Sequence, residues 1–133
     1  MPTMANITVK KADGTTDVIY VALAPSNGDQ SPARWRLDAI GGAPANRPVL
    51  TVGAKAASNG ATRVVFGKFV FPETFTDTTT GITSVRSSAS GSFEVRVPQH
   101  LAPAIISEFS AQFGNLVAAS LMKSSYAEGY APQ

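Results

Sequence analysis

Three observations predict an α+β fold, an antiparallel sheet followed by C-terminal helix. Asp13-Gly14 and Asn59-Gly60 each lie between apolar runs, and both dipeptides suit hairpin turns that need positive φ. The stretch before Pro98 alternates cleanly. Ala89, Gly91, Phe93, Val95 and Val97 point one way, and Ser88, Ser90, Ser92, Glu94 and Arg96 the other. At Pro98 the period changes. Leu101, Ile105, Phe109 and Phe113 recur every four residues, and Leu116, Val117 and Leu121 follow, which is the spacing of an amphipathic helix.

The elements follow in order. Ile7 and Val9 alternate with Asn6, Thr8 and Lys10 as a short strand with one apolar face. After the Asp13-Gly14 turn, Val18 to Leu23 is its return strand. Pro25 to Pro32 is a loop by composition, Arg34 to Leu37 a short third strand, and Gly41 to Pro48 a second loop. Val49 to Ala56 and Arg63 to Phe71 form the central hairpin, rich in Val and Phe as strands prefer. Pro72 is expected to end the return strand by removing a ladder donor. Glu73 to Gly81 reads as an exposed Thr-rich loop, and Ile82 to Val97 as a last long strand, irregular at Ser87-Ser88. Pro103 is tolerated only in a first helical turn, so the helix starts near His100 to Ala102. It ends or bends around Ala118 to Ser120, before a short second helix from Leu121 to Ala127 and a non-helical tail from Gly129.

On the central return strand Val65, Gly67, Phe69 and Phe71 share one face, while Phe66, Lys68 and Val70 share the other. A buried cation is costly, so the Lys68 face is expected to meet solvent or a polyanion and the opposite face the core. One helix is too little cover for a broad sheet of long strands. A second copy of the same helix would supply the rest, which favours a two-fold homodimer.

The 133 residues fit one domain with a modest core. Charged residues make up only 15%, and the net charge of +2 is compatible with a nucleic-acid partner without requiring one. No apolar run approaches a membrane span, and the N-terminus lacks the regions of a signal peptide, so no membrane partner and cytoplasmic synthesis are expected. There is no cysteine and a single histidine, His100, so the common zinc sites cannot be built within one chain. Gly41-Gly42 lacks the Gly-Lys-Ser/Thr of a phosphate loop, and the carboxylates Asp13, Asp29 and Asp77 lie in turns. The residues therefore supply no catalytic constellation, no metal site and no cofactor site. What they do supply is a sheet face with Thr51, Lys55, Lys68, Ser90, Ser92 and Arg96, with Arg63 and Arg86 near the strand ends. Cations meet phosphates, hydroxyls meet phosphate, ribose or base edges, and Phe66 offers a ring for stacking on an unpaired base. An ordinary solvated sheet face accounts for the same residues.

The order of elements and several stretches resemble the coat proteins of single-stranded RNA bacteriophages, the levivirus group. The stretch Arg47-Pro48-Val49-Leu50-Thr51-Val52 through Arg63-Val64-Val65-Phe66-Gly67-Lys68-Phe69-Val70-Phe71-Pro72 is similar to the family's central pair of strands. Ser92-Phe93-Glu94-Val95-Arg96-Val97-Pro98 is similar to its last strand, and Glu108-Phe109 through Asn115 to Leu121 to its helical end. The resemblance implies an N-terminal hairpin, a five-stranded antiparallel sheet and two C-terminal helices that pack on the sheet of a dimer partner. It implies homodimers that assemble into an icosahedral shell around genomic single-stranded RNA, with the polar sheet face binding an RNA hairpin that overlaps the replicase start. Lys68 falls where the family commonly has a contacting lysine. Thr51 and Gly53 fall where small or hydroxyl residues line the preceding strand. Ser90 and Ser92 fall where the best-known members carry an aromatic and a polar contact, so Ser90 and Phe66 depart from the pattern. The residues alone leave two other readings open, a β-rich appendage or adhesin-type assembly subunit and an RNA-binding module that never assembles.

Overall fold

The structure is a computed structural model that describes residues 2–40 and 42–133. Six strands come first and two helices last: β1 (Ile7–Lys10), β2 (Asp17–Ala24), β3 (Ala33–Arg36), β4 (Val49–Ala56), β5 (Thr62–Thr76), β6 (Thr83–Pro98), α1 (Pro103–Val117) and α2 (Ser120–Glu128). A short 3-10 turn, Pro44–Asn46, precedes β4, within the second predicted loop; the Gly41 end of that loop lies outside the described residues. The chain divides into two compact units, one up to Arg96 and one from Val97.

In the first unit the strands form one antiparallel sheet in chain order. The expected N-terminal hairpin and antiparallel sheet are both present, and they join into one run of six strands. The reason lies in β2. Asp17 to Tyr20 pair with β1, and Val21 to Ala24 pair with β3, so one strand carries the hairpin into the sheet. The register slips between Ala22 and Ala24, leaving Leu23 as an extra residue in a β-bulge.

Turn chemistry sets the hairpins. Gly14 and Gly60 take φ of 74° and 70°, which an L side chain rarely adopts. The Asn59 side chain accepts from the backbone N–H groups of Ala61 and Thr62, closing the β4–β5 turn. Beyond the turn, β5 corrects the sequence reading. It runs through Pro72 to Thr76 instead of stopping. Val49, the first residue of β4, lies opposite Val70, so from there on β5 has an open edge where proline is tolerated. The predicted loop shrinks to residues 77–82, where Asp77 N–H donates to the Ile82 carbonyl and the Thr76 and Thr83 hydroxyls lie 2.9 Å apart. β6 is continuous through Ser87-Ser88.

Cross-strand partners share a face, so the register sorts the side chains. One face carries Ile7, Tyr20, Ala22, Ala33, Trp35, Leu50, Val52, Val65 and Phe69. Tyr20 and Phe69 meet edge to face at 5.9 Å, and burial pushes the Tyr20 hydroxyl pKa up. Trp35 Nε1 donates to the Ala5 carbonyl at 2.8 Å. This is the predicted apolar face, but the unit leaves it partly uncovered: Val9 is 43% exposed, Phe71 47% and Phe93 38%.

In the second unit α1 begins with Pro103 in its first turn, as predicted, and α2 ends on Gly129 in the left-handed conformation. Phe109 and Phe113 stack at 5.9 Å one helical turn apart. No residue of either helix is buried, and Leu116 and Leu121 are 65% and 62% exposed. No helix among the described residues is long and apolar enough to cross a membrane.

Candidate nucleic-acid interface

The second face of the sheet is built around the β3–β4–β5 ladder. Arg34 lies opposite Thr51 and Thr51 opposite Lys68, so the three form one row across three strands. The next row toward the hairpin turn holds Gly53 and Phe66, and the row beyond it Lys55 and Val64. Phe93 fixes the position of β6 relative to these rows. Its ring occupies the space that a Cβ on Gly67 would take, so Phe93 shares the Gly67 face. Ser90 and Ser92, exposed on β6, therefore share the Lys68 face.

The two glycines of the hairpin do matching work on opposite faces. A Cβ on Gly53 would sit 2.6 and 2.8 Å from Phe66 Cζ and Cε2, so the Phe66 ring lies over Gly53 and buries it. The Lys55 ammonium is 5.7 Å from the centre of that same ring. Phe66 is thus held by packing on its own sheet, and Gly53 is covered by it. Val64 shares the polar face and is nevertheless 1% exposed, a fully buried side chain like Pro48. The predicted division into a core face and a solvent face holds at Lys68 and fails one row from the turn.

Ion pairing sorts the cations. Arg63 gives a bidentate pair to Asp29, with 3.0 and 2.6 Å contacts. Those hydrogen bonds hold the Asp29 carboxyl below its ordinary range and raise the Arg63 guanidinium. Arg63 also pairs with Ala56 across the ladder, on the face opposite Lys68. It is therefore not brought together with the polar-face cations. Arg36 and Arg47 converge on Asp38, whose carboxyl is lowered first by the Arg36 hydrogen bond and then by Arg47. Arg96 pairs with Glu94, and Arg86 lies 4.7 Å from the Phe75 ring near the tip of the β5–β6 hairpin. Among the described residues, the cations of β3, β4 and β5 left without an ion pair are Arg34, Lys55 and Lys68, and all three lie on one face. Sequence reasoning missed Arg34. Its strand is four residues long, and the partner that places it, Thr51, is remote in sequence.

No cluster of three or more metal-ligating side chains occurs among the described residues. An open groove of about 590 Å³ lies at one end of the apolar face, between Val18, Tyr20, Leu37, Ile40 and Phe71, and it gathers apolar surface more than polar groups.

No protein-family model matches the chain, and no curated protein matches it in sequence. Solved structures do match. The chain is similar to the protein of the virus-like particle of Beihai levi-like virus 21, with a TM-score of 0.81, 17% identity and coverage of 99% of both chains. It is similar to that of the virus-like particle of bacteriophage NT-214, with a TM-score of 0.80, 16% identity and coverage of 99% of this chain and 100% of the other. It is also similar to the capsid protein of bacteriophage GA, with a TM-score of 0.72, 16% identity and coverage of 94% of each. Over nearly its whole length, this chain has the fold of the levivirus-type bacteriophage coat proteins that its sequence resembles.

Proposed function

We propose that this protein is a structural capsid subunit. It forms homodimers, the dimers assemble into a closed icosahedral shell, and the shell encloses single-stranded RNA bound to the polar sheet face. The observation that carries the reading is the division of the sheet into two unlike faces. One leaves apolar side chains uncovered within a single chain, and the other gathers the unpaired cations Arg34, Lys55 and Lys68. An uncovered apolar face needs a protein partner, and the exposed α1 and α2 side chains of a second copy have the matching chemistry. An array of cations beside the hydroxyls of Thr51, Ser90 and Ser92 suits a phosphodiester chain. End-to-end likeness to proteins of virus-like particles supports assembly as the outcome. The same face is the proposed seat of an RNA hairpin whose binding represses replicase translation. The role is structural, with no catalysis and no cofactor, and its place is the virion after synthesis in the bacterial cytoplasm.

The test is electron microscopy of the protein expressed alone, with absorbance at 260 and 280 nm on the same sample. Uniform round particles rich in nucleic acid are expected. A stable monomer free of nucleic acid overturns the proposal. Dimers that bind RNA without closing into particles restrict it to an RNA-binding module, and fibres point to an appendage subunit.

A further inference from the structure

We infer that the RNA-contact surface extends onto β3 through Arg34, which takes a phosphate of the same strand that Lys68 holds. The inference rests on the proposed RNA-binding role of this face and adds a residue that the resemblance does not assign. Three features of the sheet carry it.

The first is the row itself. Strands are spaced about 4.8 Å apart, so the Arg34 and Lys68 backbones lie roughly 10 Å apart with Thr51 between them. A nucleic-acid strand crossing the sheet would meet a cation, a hydroxyl and a second cation in sequence. The second feature is clearance. The cross-strand neighbours of Arg34 are Ala24 and Thr51, both small, and Ala24 is opposite only because the Leu23 bulge shifts the register. A strand without the bulge would place Leu23 beside Arg34. The guanidinium is exposed, with no ion pair or hydrogen bond among the described residues. The third is the contrast with Arg36, two residues on and on the same face, which is neutralised by Asp38. A positive sheet face used only for solubility gives no reason for one arginine to be paired and its same-face neighbour left open. An open fork of donors is the geometry that phosphate recognition uses.

The experiment measures binding of a fluorescein-labelled single-stranded RNA 20-mer to the full chain, freed of nucleic acid, across a series of salt concentrations. Each phosphate neutralised on a single strand contributes about 0.7 to the slope of log K against log salt. Arg34→Gln is expected to lower the slope by about 0.7 and to weaken binding several-fold at 0.1 M salt, as Lys68→Gln does. Arg34→Lys, which keeps the charge, is expected to keep the slope. Lys11→Gln, in the β1–β2 turn, is expected to leave it unchanged. A wild-type slope for Arg34→Gln alongside a lowered one for Lys68→Gln overturns the inference and leaves the proposed RNA-binding face intact. Wild-type slopes for Arg34, Lys55 and Lys68 variants alike overturn both. An Arg34→Lys variant as impaired as Arg34→Gln traces the loss to structure and also overturns the inference.

Discussion

Lys68 and Arg63 stand on the same strand, five residues apart, and the structure predicts opposite behaviour for them. Lys68 is exposed, and no carboxylate pairs with it among the described residues. Its charge is available to a phosphate. In a high-dielectric setting, one close contact between unit charges is worth about 1 kcal/mol, or roughly fivefold in affinity. One counterion is released per phosphate neutralised, so Lys68→Gln should lower the salt slope by about 0.7. On a fourfold rise in salt, the variant should lose about 2.6-fold less affinity than the wild type. Arg63 is committed to Asp29 and lies on the other face. Removing its guanidinium frees a carboxylate and takes no contact from the RNA, so Arg63→Gln should keep the wild-type slope.

The assay is fluorescence anisotropy with a single-stranded RNA at several salt concentrations, with circular dichroism to check that both variants fold. Two results refute the reasoning. If Arg63→Gln lowers the slope as Lys68→Gln does, the face assignment does not govern binding. If Lys68→Gln keeps the wild-type slope, the Lys68 face is not where RNA binds.

Other expectations follow from packing and charge. Gly67→Ala should drive the Phe93 ring off the sheet; its burial is worth about 1–2 kcal/mol against a propensity gain of about 0.5–1, so the denaturation midpoint should fall. Gly91→Ala meets nothing within 4 Å and should leave the midpoint unchanged or raise it. Leu116→Gln keeps a good helix former but removes a side chain that is 65% exposed in the single chain; at about 1–2 kcal/mol per copy, self-association by analytical ultracentrifugation should weaken by at least about 30-fold in a two-fold dimer. The Asp13 carboxylate accepts from the Thr16 hydroxyl and from the N–H groups of Thr16 and Thr15, which pushes its pKa down to about 2. A depressed carboxyl stabilises the fold above its unfolded value near 4 and loses that contribution as pH falls toward about 2. Asp13→Asn should flatten the pH dependence of stability in that window.

Features encoded within a few residues were legible in the sequence. The Asp13-Gly14 and Asn59-Gly60 turns, the change of period at Pro98 and the placing of Pro103 in a first helical turn each follow from local sterics or spacing, and each is where the residues place it; the helix itself starts at Pro103, just after the expected His100 to Ala102. What stayed hidden depends on partners remote in the chain. Proline rules predict a stop at Pro72, but the strand continues because β4 has already begun opposite Val70. Arg63 reads as a spare cation until Asp29, 34 residues earlier, is placed against it. Phe66 reads as a free ring until Gly53 is found beneath it. Arg34 stands in line with Thr51 and Lys68 only once the register is known.

In the proposed dimer, the low charge content and the exposed apolar side chains have one physical cause. A monomeric protein rarely exposes large contiguous apolar patches, because water drives them together. Here both units expose apolar residues, Phe71 and Phe93 in the first and Ile105, Leu116 and Leu121 in the second. Short isolated helices are marginal in water, so α1 and α2 need an apolar surface to pack against. In the proposed dimer that surface is supplied by another copy, and folding and association are then one equilibrium, with stability dependent on protomer concentration. This also explains why the cations can be left unpaired. Once the apolar face is taken by protein, the opposite face is the one free to meet a polyanion. Carboxylates facing Arg34, Lys55 and Lys68 would have competed with phosphates there, whereas Asp29 and Asp38 are engaged by Arg63, Arg36 and Arg47. On the proposed reading, the division of charge within the sheet follows from its having two different partners.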